Sequence, residues 1–248
     1  MWETLLLLVA AFAAGMLNAA AGGGSFLTLP ALVYVGLPPP VANASGTLAL
    51  LPGYFSGAWA FREDLREVSA SQLRIFCLLG VAGGIAGAAL LLITPAEAFR
   101  MAVPWLLLAA TLVFMLAPKL VRKPHQRSSS ASPVVQYLGL ALVSIYGGYF
   151  NGGIGIMLLA LLGMSGALQL NTMNGLKNLL SGVLTTVSVV VYMLGDLIAW
   201  REAGIMLVAA TFGGYVGGRV ARRIPAPVLR GAVIVIGLLM TAVMFQSG

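Results

Sequence analysis

Asn171, Asn174 and Asn178 are spaced three and four residues apart, so on a helix they share one face, with Lys177 at i+3 from Asn174 beside the same stripe. Side-chain amides and an ammonium offer hydrogen-bond donors and one compensating positive charge, a set suited to an oxyanion. A lysine near a helix entrance can also simply snorkel to a polar boundary. Apolar residues flank this one on both sides, Leu168 and Leu170 before it and Leu179 after it. An ionisable group inside such a segment is by default a functional candidate. Asn43, Ser45 and Thr47 form a related polar set that has no lysine.

A second kind of chemistry resides in backbone. Two glycine-rich breaks, Ala19-Ala20-Ala21-Gly22-Gly23-Gly24-Ser25 and Gly147-Gly148-Tyr149-Phe150-Asn151-Gly152-Gly153-Ile154-Gly155, interrupt long apolar runs. Glycine there permits positive φ and close approach of a ligand or another backbone. A short helix starting at Ser25 or Gly155 presents unpaired N–H groups and the positive end of its dipole, which together favour an anion. The expected contact residues are therefore Gly23, Gly24, Ser25, Asn43, Ser45, Thr47, Asn151, Gly153, Gly155, Asn171, Asn174, Lys177 and Asn178. Gly83, Gly84, Gly87, Gly213, Gly214 and Gly217 are instead read as small-residue patches for helix packing.

Other chemistry falls away. His125 and Cys77 are the single histidine and cysteine, so neither a multi-cysteine metal site nor a histidine-based site within the apolar segments is available. No serine–base pair and no G-x-x-x-x-G-K-[ST] loop is present, so no enzyme, ATP hydrolysis or cofactor is expected. Glu63, Asp64, Glu67 and Asp196 read as solvated loop residues, and Trp59, Trp105 and Trp200 as interfacial or packing aromatics.

The elements that must carry these residues are membrane helices. Of 248 residues 60% are hydrophobic and only 8% charged, with mean hydropathy +0.98. A soluble domain carries about a quarter charged residues. Residues 4–21, 41–61, 75–93, 101–117, 134–146, 179–194, 203–218 and 228–245 are nearly free of charge, and a spanning helix needs roughly 20 apolar residues. Runs such as Leu5-Leu6-Leu7-Leu8-Val9 do not alternate as barrel strands do. The net charge of +7 sits in short loops, where it reports orientation and not nucleic-acid binding. Asn18-Ala19-Ala20-Ala21 resembles a signal cleavage site, but Glu3 and the absence of Lys or Arg before it oppose one, so the segment is read as retained.

The chain also repeats itself at an offset of about 130 residues. Gly22 to Leu32 lies over Gly152 to Leu162, Asn43 to Thr47 over Thr172 to Leu176, Gly83-Gly84-x-x-Gly87 over Gly213-Gly214-x-x-Gly217, and Pro95 over Pro225. This divides the chain into repeats 1–118 and 134–248 around a polar linker, 119–133. Basic residues follow the second apolar segment in the first half (Arg62, Arg66, Arg74) and the third in the second half (Arg219, Arg222, Arg223, Arg230). With the linker cytoplasmic, most basic residues lie on one side only if the repeats are inverted. Inversion requires an odd number of crossings per half, so each first segment must enter and return. The expected fold is all-α: two inverted repeats, each a glycine-broken hairpin, re-entrant or thinly crossing (4–20 with 25–35; 134–149 with 155–163), followed by three transmembrane helices. Both termini would lie outside the inner membrane.

With these residues in view, the chain resembles the TauE/SafE family of sulfite exporters and sulfonate permeases. The resemblance rests on Asn18 to Gly24, Phe26 to Leu32, Gly36-Leu37-Pro38, Val41 to Thr47, Leu51-Pro52-Gly53, Gly152-Gly153-x-Gly155 and Asn171 to Asn178. It covers all but the linker. It implies transport of small sulfur-containing anions such as sulfite, sulfoacetate or other organosulfonates, and supplies no catalytic motif. The leading expectation is a secondary transporter, an exporter working by alternating access on a small anionic solute within the lipid bilayer. An anion channel, a membrane-embedded enzyme and a structural subunit are the alternatives, and a homo-oligomer is compatible with all of them.

Overall fold

The computed structural model describes residues 1–120, 133–164, 168–220 and 226–246; most of the linker, Ser129 and Ser165 lie outside them. The described residues form helices: α1 Trp2–Ala21, α2 Ser25–Tyr34, α3 Pro39–Ala60, α4 Ala70–Ile93, α5 Ala96–Leu120, α6 Pro133–Tyr149, α7 Ile154–Met164, α8 Leu170–Leu194, α9 Trp200–Val220 and α10 Ala226–Gln246, with a 3₁₀ turn at Asp64–Glu67. The protein is all-helical. Among the described residues four stretches are long and apolar enough to cross a membrane: Trp2–Ala19, Ala70–Ile93, Ala96–Val113 and Leu170–Leu194. Their outer faces carry exposed Leu5, Val9, Leu78, Ile85, Met101 and Val190, as a lipid-facing surface requires.

Local chemistry sets the helix ends. Gly22 closes α1 in the left-handed conformation (φ 84°), its N–H bonded to the Leu17 and Asn18 carbonyls, and so aims the chain back. Prolines at the start of α3 need no intrahelical acceptor for their missing N–H. Ser69 caps α4 by accepting from the Gln72 N–H at 3.3 Å.

Both breaks produce hairpins of one long and one short helix. The Tyr34 ring at the end of α2 packs against Trp2 at the start of α1, with centroids 5.8 Å apart, so α2 returns to the side where α1 began. Leu161 of α7 packs in the same way against Gly139 of α6. At 1.5 Å per residue α2 and α7 are about 15 Å long, half of a hydrocarbon core of about 30 Å.

Packing crosses between the halves reciprocally. α1 lies on α9, with Phe12 against Gly213 and Met16 against Gly217, and α4 lies on α6, with Gly83 against Ser144 and Gly87 against Gly148. A methyl group on Gly87 would overlap the Ile145 carbonyl and one on Gly213 the Phe12 carbonyl. Only glycine permits backbones this close. The pair α3 and α8 runs antiparallel: Ser45 meets Ala199, Phe55 meets Gly182 and Gly57 meets Asn178, and Glu67 just beyond α3 meets Thr172. Likewise in α5 and α10 Trp105 meets Phe245 while Thr111 meets Gly237.

Candidate functional site

The two breaks meet. A methyl group on Gly22 would stand 3.3 Å from the Gly155 Cα, and one on Gly155 would stand 3.3 Å from the Gly22 Cα and 3.3 Å from Lys177 Cδ. The second break turns through two left-handed residues, Asn151 (φ 57°) and Gly153 (φ 74°). The Ser25 hydroxyl donates to the Asn151 carbonyl at 3.4 Å, tying the start of α2 to the second break. Within the breaks the Phe26 and Leu27 N–H groups bond to the Gly23 and Gly24 carbonyls, and those of Ile156 and Met157 to the Gly153 carbonyl. Among the described residues no backbone acceptor is found for the N–H group of Gly155. The positive ends of two helix dipoles thus converge on one spot, each worth about half an elementary charge.

Lys177 is the cation beside that spot. Its side chain is 3% exposed, and among the described residues it has no hydrogen-bond partner or ion pair. Desolvating an ammonium without a counter-charge costs several kcal/mol. Asn151 is buried to 1% exposure with both side-chain polar atoms unpartnered, and Asn18 Oδ1 is unpartnered as well. The Tyr54 hydroxyl faces the Asn151 side chain without forming a hydrogen bond to it. Such buried polar atoms are few in folded proteins. The spot is thus lined by one ammonium, by the Asn151 amide with its donor and its acceptor both free, and by the acceptor Oδ1 of Asn18.

The remaining expected residues divide by what they touch. Asn43 donates from Nδ2 to the Tyr149 carbonyl at 3.1 Å, the Tyr146 hydroxyl donates to the Gly152 carbonyl at 2.7 Å, and the Tyr192 hydroxyl donates to the Gly148 carbonyl. Asn43 and Tyr192 thus hold carbonyls freed at the end of α6, and Tyr146 holds one within the break itself. Thr47 bonds back to the Asn43 carbonyl at 2.7 Å. Ser45 accepts the Ala199 N–H at 2.9 Å, at the α8–α9 connection. On α8 the stripe splits. Asn178 packs on Gly57 of α3, Asn171 is exposed and Asn174 half-buried, while Lys177 alone of the four is buried against the breaks. Asn18 was not among the expected contacts. Its signals in the sequence are its place just before the first glycine run and at the head of the segment, Asn18 to Gly24, that carries the family resemblance.

A separate cavity of ≈ 320 Å³ lies at the α2–α3 connection, lined by Val33, Gly36, Leu37, Arg100, Val103 and Met244. It shares no residue with the meeting point of the breaks.

An apolar helical bundle with paired broken hairpins enclosing an unneutralised cation has the build of a membrane transporter. Comparison with known proteins agrees. The model of the family described as sulfite exporter TauE/SafE matches residues 7–244. "Probable membrane transporter protein YfcA" of Escherichia coli strain K12 is 27% identical over 238 residues, which cover 96% of this chain and 87% of that protein. A "Probable membrane transporter protein" of Haemophilus influenzae is 27% identical over 246 residues, covering 96% and 93%. "Probable membrane transporter protein ORF9" of a Sinorhizobium species is 28% identical over 235 residues, covering 94% and 88%. The chain belongs to the TauE/SafE family; it is a membrane transporter and not an enzyme.

Proposed function

We propose that the protein is a secondary transporter that exports small sulfur-containing anions, sulfite or organosulfonates, by alternating access. The anion sits where the N-termini of α2 and α7 meet, held by the backbone N–H groups of Gly23, Gly24, Ser25 and Gly155, by the Asn151 amide and by the Lys177 ammonium. The observation that carries this reading is Lys177, buried without a counter-charge against the contact of Gly22 with Gly155. Asn43 positions the second break, and Gly153 allows its turn. Asn171, Asn174 and Asn178 line the approach to Lys177 along α8. The family's description as sulfite exporters supports the substrate class.

The two repeats, 1–118 and 134–248, are inverted. Support comes from equivalent helices running antiparallel, α3 with α8 and α5 with α10. The basic loop at Arg62, Arg66 and Arg74 and the linker 119–133 then face the cytoplasm of a cell with this protein in its inner membrane, and both termini face outward. The α1–α2 and α6–α7 hairpins are re-entrant, which their short second helices support.

The test is uptake of labelled sulfite and small sulfonates into liposomes, comparing the intact protein with Lys177→Ala. Saturable flux for at least one anion, lost in the variant, is expected. Flux that rises linearly with concentration and shows no counter-transport would make the protein a channel. Saturable flux untouched by the substitution would remove Lys177 from the site.

A further inference from the structure

We propose that Ser181 and Thr185 form a second subsite with the side-chain oxygens of Asn18 and Asn151, next to the charged one. It takes an uncharged hydroxyl on the carbon body of the transported sulfonate, and so rests on the anion site proposed above. Ser and Thr hydroxyls within helices commonly donate to the carbonyl four residues earlier. Thr47, Thr111, Thr186, Ser188, Thr211 and Thr241 all do so here, at 2.7 or 2.8 Å. Ser181 and Thr185 do not. Both are 0% exposed, and neither hydroxyl oxygen has a hydrogen-bond partner. Ser144 shares that state, but it is pressed on Gly83 between α4 and α6 and belongs to helix packing.

Their place on α8 aims the two hydroxyls at the breaks. On one flank Leu184 packs on Gly84 of α4 and Gly147 of α6; on the other Asn178 and Gly182 pack on Gly57 and Phe55 of α3. At about 100° per residue, Ser181 and Thr185 fall between these flanks, as does Lys177. Helical side chains lean toward the N-terminus, so the Ser181 hydroxyl lies over Lys177 and that of Thr185 over Ser181. Helix α3 runs antiparallel to α8 with Phe55 at Gly182, which sets Gly53 near the height of Thr185. Asn18 stands beside Gly53, its Nδ2 3.7 Å from a methyl group built there, and Tyr54, next along α3, faces Asn151.

The oxygens of a sulfonate only accept, and they suit the Lys177 ammonium, the Asn151 Nδ2 and the Gly155 N–H. They leave the free acceptors Asn18 Oδ1 and Asn151 Oδ1 without a donor. A hydroxyl supplies one: its O–H donates to an amide oxygen while its lone pairs accept from Ser181 and Thr185. The donor is uncharged, because all 7 acidic residues lie in connections or first helical turns, where none can balance an ammonium on the solute. Ser181 stands one turn, about 5.4 Å, beyond Lys177, the reach of about two or three carbons between sulfonate and hydroxyl.

The experiment uses the full chain in liposomes and compares 2-hydroxyethanesulfonate with ethanesulfonate, which has the same charge and carbon count but no hydroxyl. Half-saturating concentrations for uptake should favour the hydroxylated anion about tenfold or more, because the plain one leaves buried polar groups unpaired. Ser181→Ala and Thr185→Val should each bring that ratio toward one, whereas Thr185→Ser, which keeps the hydroxyl, should preserve it. Since neither hydroxyl has a protein partner, these variants are expected to melt no lower than the parent. Equal half-saturation for the two sulfonates in the parent, or an unchanged ratio in both hydroxyl-free variants, overturns the subsite and leaves the anion site standing. Uptake of sulfite with neither sulfonate does the same. No uptake of sulfite or of either sulfonate overturns both.

Discussion

A single methyl group at Gly155 probes whether the contact of the two breaks is the site. An alanine there would place its Cβ 3.3 Å from both the Gly22 backbone and the Lys177 stem. The stem can yield, but the backbone of Gly22, locked by its left-handed cap, cannot. Gly155→Ala is expected to cost roughly 1–3 kcal/mol of stability and to suppress anion uptake, read by melting in detergent and by liposome flux. Asn151→Gly asks a complementary question. Glycine accepts the positive φ of 57° but removes the free amide. Since that amide has no protein partner, its loss should leave the melting temperature nearly unchanged while weakening anion binding about tenfold, the worth of one hydrogen bond to a charged group. An unchanged anion affinity would show that the amide faces something other than the solute. The residues differ in how far the sequence announces them. Lys177 stands out because a cation within an apolar run has few uses, and Asn151 because it interrupts glycines. Whether Asn43 meets solute or a carbonyl depends on Tyr149, 106 residues away, and no local pattern encodes that distance. Asn178 turns toward Gly57 for the same reason.

At the level of the helices, glycine does two different jobs. At Gly22 and Gly153 it takes up positive φ and ends or redirects a helix; at Gly83, Gly87, Gly213 and Gly217 it lets neighbouring backbones touch. Spacing separates these uses only in part: glycines repeated three and four apart mark a face, but adjacent glycines occur both at the breaks and, as Gly83-Gly84, Gly147-Gly148 and Gly213-Gly214, within helices. Nor does spacing say which helix that face meets. The partner of α1 is α9 and the partner of α4 is α6, each from the opposite half, so neither half can bury its glycine face alone. Gly87→Leu and Gly213→Leu should each force their pair apart and destabilise the protein by several kcal/mol, at or beyond the upper end of ordinary overpacking. Gly204→Leu, with nothing within 4 Å of its added Cβ, should melt within about 0.5 kcal/mol of the parent, as surface substitutions usually do. If all three behave alike in thermal denaturation, the close helix pairs do not hold the bundle together.

For the molecule as a whole the decisive question is how the halves are turned relative to one another, because an inverted pair gives the carrier two exchangeable states and a parallel pair does not. Ser71 and Arg201 are separated by the repeat offset, at the starts of the equivalent helices α4 and α9, and both are exposed. Parallel repeats would put them on the same side of the membrane, inverted repeats on opposite sides. The antiparallel course of α3 and α8 favours the second, as does the clustering of Arg62, Arg66 and Arg74 near Ser71 while Arg201 stands beside Asp196 and Glu202. With Cys77, the only native thiol, replaced by alanine, single cysteines at the two positions can be exposed to a membrane-impermeant maleimide on intact cells. Arg201→Cys should label at once, and Ser71→Cys only after the membrane is opened. The reverse pattern would keep the inversion and exchange inside for outside, moving the linker and the basic turn outward. Labelling of both from the same side would remove the inversion, and with it the argument that α2 and α7 approach the anion from opposite faces of the membrane.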